Sequence, residues 1–287
     1  MDTITPPRIL VFDSGLGGLS VAREIHHLLP QVQLIYFGDT AFFPYGSKPE
    51  EVLIERVLGQ ISRLELTTSP DLIVLACNTA STLVLPQLRA QTTTPVVGVV
   101  PAIKPAATHS QSGVIGLLAT PGTVQRDYTA SLIAEHAGHC RVVAVGSTEL
   151  VLLAEGKLRG RPPSRRALSA ILQPFFEHPK HSELDTMVLA CTHFPLLTAE
   201  LAEAYGRPVR WVDSGAAIAQ RVASLLPNNV ALAAASAMDS SATHPAQRRI
   251  TGNQALFSHP PQEVKALRAW LSALDMELAK LPDSMVP

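Results

Sequence analysis

Cysteine is scarce in this chain: three occur among 287 residues. That is too few, and the wrong parity, for a disulfide framework. No two are spaced as Cys-x-x-Cys, and a zinc site needs three or four gathered ligands, so no metal is expected. An excess of charge is also missing. Lys plus Arg number 23 against 24 for Asp plus Glu, which gives no electrostatic reason to expect nucleic acid. No uninterrupted apolar run has the length of a membrane span. Residues 1–7 show no basic segment followed by an apolar one, so no signal peptide is expected. These absences point to a cytoplasmic protein with free thiols. Cofactor motifs are missing too. There is no Walker loop and no stand-out lysine for pyridoxal, and Ser20 stands where a dinucleotide fingerprint would need glycine, so no cofactor is expected.

What is present is length and apolar content. Hydrophobic residues make up 46% of the chain, enough for a sizeable core, and the length fits two domains. One stretch occurs twice. Asp71-Leu72-Ile73-Val74-Leu75-Ala76-Cys77-Asn78-Thr79 is echoed by Asp185-Thr186-Met187-Val188-Leu189-Ala190-Cys191-Thr192-His193. Each copy is an acidic residue, an apolar run too short for a helix, and a thiol followed by polar residues. Such runs read as buried parallel strands, which puts each thiol at the carboxyl edge of a sheet, where open α/β folds bind ligands. A free cysteine is most simply a core residue, and Cys140, a lone thiol ahead of a strand, is read that way. Two thiols in matched settings are read as a site with a cysteine from each of two lobes.

Strands and helices alternate along the chain. Strands are expected over 8–12, 34–37, 72–75, 95–99, 114–118, 141–145, 186–190 and 209–212. Helices are expected to run to about 29, over 49–66 and 79–90, from Pro101, after Thr120, over 149–158, and from 164 to 177. The turn Asp13-Ser14-Gly15-Leu16-Gly17-Gly18 would let backbone approach closely and offers a helix N-terminus to an anion; Asp13 could equally be a plain N-cap. Residues 42–48 are either a shaped wall or an ordinary packed turn. The basic stretch 157–166 is read as solvated surface. Residues 228–247 are rich in Ala and Ser and read as mobile, 248–257 give no clear signal, and 262–281 read as a closing amphipathic helix. Asp213-Ser214-Gly215 repeats residues 13–15, as if the chain returned to its first lobe. The fold class is therefore α/β: two similar lobes, each a mostly parallel sheet flanked by helices, with the site between them.

Two facing thiols suit one chemistry especially. Inverting a carbon centre by deprotonation needs a base on one face and an acid on the other, and a thiolate and a thiol can fill those roles. With an ordinary pKa of about 8.5, cysteine is only a few per cent thiolate at neutral pH, so each thiol needs a tuning partner. Asp13 and His193 are candidates by their places at strand ends. Asn78, Thr79, Thr192 and the helix N-termini could hold a carboxylate. A thiol nucleophile, as in an amidase or transferase, is the competing reading, and it leaves Cys77 idle. A non-catalytic two-lobed binding protein is the third.

At these residues the chain resembles the glutamate racemase family of cofactor-independent amino-acid racemases. The matching segments are 11–21, Gly38-Asp39-Thr40 with Pro44-Tyr45-Gly46, 76–81, 99–102, 119–124, 191–197 and 213–215. The resemblance spans roughly 8–225. It implies that Cys77 and Cys191 are the two acid/base residues, Cys77 acting on D-glutamate and Cys191 on L-glutamate, with Asp13 and His193 as their partners. It implies substrate contacts at Ser14, Tyr45, Gly46, Asn78, Thr79, Thr120, Thr192 and His193, and a catalytic acidic residue at Glu155, with Glu149 as its rival. It also implies a discontinuous first lobe (1–99 and 212–287) around a second (100–211). Further implications are D-glutamate for peptidoglycan, a homodimer or monomer–dimer equilibrium, and activation by a uridine-diphosphate muramoyl alanine precursor, since 99–107 and 144–158 look most like the enterobacterial type. Aspartate or a related amino acid is the alternative substrate.

Overall fold

In the computed structural model, residues 6–226, 252–261 and 264–281 are described. The expected mobile segment 228–247 lies outside them. The first half alternates strictly: β1 (Arg8–Asp13), α1 (Leu19–Leu28), β2 (Gln33–Gly38), α2 (Glu50–Thr68), β3 (Leu72–Leu75), α3 (Asn78–Gln91), β4 (Val96–Gly98) and α4 (Ile103–His109). Then come β5 (Val114–Ala119), α5 (Pro121–Gln125), α6 (Asp127–Ala137), β6 (Arg141–Gly146), α7 (Glu149–Leu158), α8 (Arg165–Glu177), β7 (Thr186–Ala190), α9 (Thr198–Tyr205), β8 (Arg210–Val212) and α10 (Gly215–Leu225). After the undescribed segment follow β9 (Asn253–Phe257), α11 (Val264–Ser272) and β10 (Met276–Leu278).

The strands form two sheets, ordered β10-β9-β2-β1-β3-β4 and β6-β5-β7-β8. Every pairing among the described residues is parallel. Parallel sheets are covered on both faces, and side-chain parity shows how. Ile9 and Val11 of β1 point into a core with α1 and α10, while Leu10 and Phe12 point into one with α2 and α3. In β7, Met187 and Leu189 face α7, α8 and α9, whereas Val188 faces α4 and α6. The helix after β8 brings Ile218, Ala219 and Val222 back into the core of the first sheet.

Structure and expectation differ at several places. The helix expected over 262–281 ends at Ser272, because Asp275 turns the chain with φ at 51° and Leu274 and Met276 enter the core, starting strand β10. The unassigned 248–257 holds β9. Its first residue, Asn253, is polar for a structural reason: its side chain accepts from the Leu34 N–H and donates to the Leu274 carbonyl, both at 2.8–2.9 Å. The helix expected after Thr120 is two helices, broken at Arg126, whose backbone is extended. In addition, Pro101 precedes α4 without entering it.

The acidic residue opening each thiol strand is a staple. Asp71 accepts the Arg8 N–H at 2.7 Å. Asp185 accepts the N–H groups of Gln111 and Ser112 and the hydroxyls of Ser110 and Thr186. Burial pushes the Asp185 carboxyl up, but these donors prevail and hold it at about 2. Since this lies below the ordinary value of about 3.9, the stabilisation is complete above about pH 4 and is lost as pH falls through 2. Asp185→Asn should therefore lose about 1 kcal/mol at pH 7, solvent screening at this half-buried position limiting the loss. Urea unfolding at pH 7 and near pH 2 checks it: the gap between variant and parent should close at the lower pH.

Candidate active site

In both sheets the strand order reverses beside the centre. β1 lies between β2 and β3, and β5 lies between β6 and β7. The crevice at the carboxyl ends of the diverging strands is the expected ligand site. Ser14 follows β1 directly and Cys77 stands two residues past the end of β3; Thr120 and Cys191 follow β5 and β7 directly. All four line one pocket, with Phe43, Pro44, Tyr45, Gly46, Thr79, Thr148, Val151, Thr192 and His193. Cys77 and Cys191 are only 5% and 7% exposed. Parity places both: Cys77 continues the Ile73–Leu75 face, and Cys191 the Met187–Leu189 face.

Each thiol has its own company. Cys77 is the N-cap residue of α3, and its sulfur lies 3.7 Å from the Ser14 hydroxyl. Burial first, then the Asp13 charge and Cys191, push this thiol up to about 12, against the Ala80 N–H and Ser14, which favour the thiolate. The Cys191 sulfur lies 3.8 Å from His193 Nδ1, and His193 Nε2 is 2.9 Å from Glu155 Oε1. Burial opposes charge on the His193 ring, but Cys191 and Glu155 outweigh it and hold the imidazole well above its usual range. Burial likewise pushes Glu155 up; His193, the Leu16 N–H and Arg159 prevail and keep it below the ordinary carboxylate range. The arrangement is a buried imidazolium–carboxylate pair behind Cys191.

The turn after β1 is glycine-rich to make room for that pair. A Cβ on Gly17 would lie 2.4 Å from His193 Nδ1, and one on Gly15 would lie 2.6 Å from Glu155 Oε1. The anion met by this turn is the protein's own: the Leu16 N–H donates to Glu155 Oε1 at 2.7 Å. Asp13, fully buried, accepts the Gly15 N–H at 2.9 Å and the Thr192 hydroxyl at 3.1 Å. Asp213 repeats the first of these bonds, accepting the Gly215 N–H at 2.7 Å. Thr192 is tied twice, since its carbonyl accepts the Ser20 hydroxyl at 2.8 Å.

The other expected residues divide. Thr79 and Thr120 meet across the pocket with hydroxyls 3.3 Å apart. Tyr45 presents its ring, while its hydroxyl donates away to Asp39, which Arg56 also holds. Residues 42–48 thus supply a wall. Asn78 lines an adjoining cavity, shared with Cys191 and Thr192, and its buried Nδ2 has no hydrogen-bond partner there. Glu155, not Glu149, reaches His193; Glu149 is exposed in the first turn of α7. The basic stretch 157–166 is only partly solvated surface, because Lys157 pairs with Glu200 at 2.6 Å and Arg159 with Glu155 at 2.9 Å. Sequence reasoning missed Thr148 and Val151, which carry no signal beyond their place at the start of an expected helix. Among the described residues no cluster suits a metal ion, and no helix is long and apolar enough to cross a membrane.

Residues 9–222 match the Asp/Glu/Hydantoin racemase family, and the chain belongs to that family. It is 53% identical over 222 residues to the glutamate racemase of Pectobacterium carotovorum subsp. carotovorum (strain PC1), covering 77% of each chain. A similar match, 53% over 220 residues, covers 77% of this chain and 76% of the glutamate racemase of Escherichia coli O139:H28 (strain E24377A / ETEC). Among solved structures it is similar to Escherichia coli glutamate racemase in complex with L-glutamate and the activator UDP-MurNAc-Ala. The TM-score is 0.83 at 44% identity, covering 96% of this chain and 98% of that one. The glutamate racemase from Aquifex pyrophilus gives 0.70 at 29% identity, covering 95% and 98%. These likenesses bear out the α/β fold and the family resemblance.

The burial pattern predicts an order of thiol reactivity. Cys140 is half-buried, unlike the other two. In the native protein, iodoacetamide should modify Cys140 at least about tenfold faster than Cys77 or Cys191, since attack needs exposure and thiolate. Peptide mapping of a labelling time course reads the order, and all three should label alike in denaturant.

Proposed function

We propose that this chain racemises glutamate in both directions, with Cys77 and Cys191 as the two bases. The observation that carries the reading is that two buried thiols, one from each sheet, converge on a single pocket. One thiolate removes the α-proton and becomes a thiol; the opposite thiol delivers its proton to the other face of the carbanion and becomes a thiolate. Atoms and charge balance, and the enzyme is left ready for the reverse reaction. Like-charge repulsion between the two sulfurs favours one thiolate at a time, which is the state that inversion requires.

The flanking groups fit different tasks. With its thiol at about 12, Cys77 is almost entirely protonated at pH 7. A substrate ammonium near Asp13 would offset the carboxylate that helps to push this thiol up. Asp13 therefore serves the Cys77 face by taking the thiol proton. His193, held as the cation by Glu155, serves as proton donor on the Cys191 side. The Thr79 and Thr120 hydroxyls, with Ser14, serve as donors to the substrate carboxylates, Thr192 lines the same pocket, and the reading needs no cofactor. The series Cys191, His193, Glu155 would also suit a thiol nucleophile, but that role leaves Cys77 without one.

The wider reading draws on the relatives. Glutamate is favoured over aspartate by the names they carry. The Escherichia coli protein was solved with the activator UDP-MurNAc-Ala, and at 44% identity we extend that activator to this chain, together with supply of D-glutamate to peptidoglycan in the cytoplasm. The reading also divides the chain into lobes at 1–99 with 212–287, and 100–211, and places it as a homodimer or in monomer–dimer equilibrium.

Circular dichroism of L- and of D-glutamate incubated with pure protein should decay to zero in both cases without added cofactor. Persistence of either signal, with the UDP-linked activator supplied, would refute the reading. Cys77→Ser and Cys191→Ser should each lose most racemisation, with opposite asymmetry in solvent-deuterium incorporation between the enantiomers; full activity in either removes that thiol from the mechanism.

Asp13→Asn and His193→Asn should each lower turnover by about a hundredfold to ten-thousandfold. Competitive inhibition by a glutamate analogue should change far less. If turnover holds and only analogue affinity falls, both residues bind substrate and move no proton.

A further inference from the structure

Arg159 follows the last residue of α7, on the far side of Glu155 from the pocket. We propose that Arg159 is a positioning residue for the Cys191 face: its guanidinium fixes one oxygen of Glu155 so that the other holds His193 against Cys191. This inference rests on the two-thiol reading above and adds to it a residue that does not touch the substrate pocket.

The geometry is a single line of contacts. An Arg159 guanidinium nitrogen donates to Glu155 Oε2 at 2.9 Å. Glu155 Oε1 takes the Leu16 N–H at 2.7 Å and faces His193 Nε2 at 2.9 Å. His193 Nδ1 lies 3.8 Å from the Cys191 sulfur. The carboxylate is thus held at both oxygens, which sets its orientation. Without Arg159, Oε2 would be a buried anion oxygen with no donor among the described residues. The carboxyl would then rotate, protonate or draw in water, and each of these loosens the ring behind Cys191.

Arg159 is itself anchored to the helix turn it serves. Its backbone N–H donates to the carbonyls of Glu155 and Gly156 at 3.2 and 3.0 Å. Its side chain is 24% exposed, against 5% for that of Glu155. A surface ion pair of that exposure would contribute little to stability, and this one has a buried end. Its value lies in orientation. Arg166, exposed in the first turn of α8, is a control for simply removing positive charge from the same stretch.

The test uses the full-length protein with Arg159→Lys, Arg159→Met and Arg166→Met. Arg159→Met should lower turnover by about tenfold to a hundredfold, the range seen when a group that orients a metal-bound histidine is removed, with KM nearly unchanged. The primary isotope effect with α-deuterated glutamate should rise for the enantiomer deprotonated by Cys191, relative to the other. Arg159→Lys should recover much of the loss, and Arg166→Met should match the parent. A second readout needs no substrate: the His193 ring nitrogen shifts, followed by NMR in labelled protein, should move in Arg159→Met and return towards the parent in Arg159→Lys. Parental turnover or unmoved His193 signals in Arg159→Met overturn the proposal. So does a loss spread equally over both isotope effects, which would mark a general structural defect. If the parent protein racemises no glutamate, the underlying reading fails, and the His193 signals still decide whether Arg159 positions the ring.

Discussion

A carboxylate buried between two sheets is tolerable only if donors surround it. An unpaired buried charge carries a penalty of several kcal/mol. Glu155, 4% exposed, meets that requirement with donors from three parts of the chain: the turn after β1, the turn after β7 and the end of α7. Much else follows from satisfying this one group. Gly15 and Gly17 lack side chains because the carboxylate and the imidazole occupy that space. The turn that would otherwise attract an external anion is filled. The two sheets are joined here by bonds that neither could form alone.

The two halves of the site are alike in topology and unlike in chemistry. Each places a thiol after a strand next to the point where strand order reverses. The first surrounds its thiol with a hydroxyl, a helix N-terminus and a nearby carboxylate. The second sets an imidazole and a carboxylate in series behind its thiol. A shared architecture can therefore be read as a placing device, with the electrostatics of each face set by a few local residues.

Much of this was legible in the residues. The thiol strands announce themselves because a parallel strand buried on both faces is a continuous apolar run, and the polar residues after each run mark the sheet edge. Asp13 and His193 were legible by their distance along the chain from those edges. Glu155 was reached only through family resemblance, with Glu149 as a rival. Both lie on α7, and only packing reveals that one is buried against His193 while the other is exposed. Arg159 looked like surface because charge in a basic stretch carries no sign of which partner it meets. The C-terminal strands were hidden for a different reason. Asn253 and Gln254 make the start of β9 polar, and the apolar spacing of α11 runs on through Leu274 and Met276 after the helix has ended.

The depth at which the sulfurs lie also bears on speed. Groups only 5% and 7% exposed cannot meet a dissolved molecule where they stand. The sheets must part, and the hydroxyl contact of Thr79 with Thr120 and the bond from Arg126 to the Thr79 carbonyl bridge the crevice that has to widen. Motions of whole lobes take microseconds to milliseconds. On the two-thiol reading each cycle would therefore include two mechanical events, an opening and a closing, besides the proton transfers. Retention of isotope and rate of turnover would then share one gate, because a proton passing between the sulfurs would be sealed from bulk water while the crevice is closed.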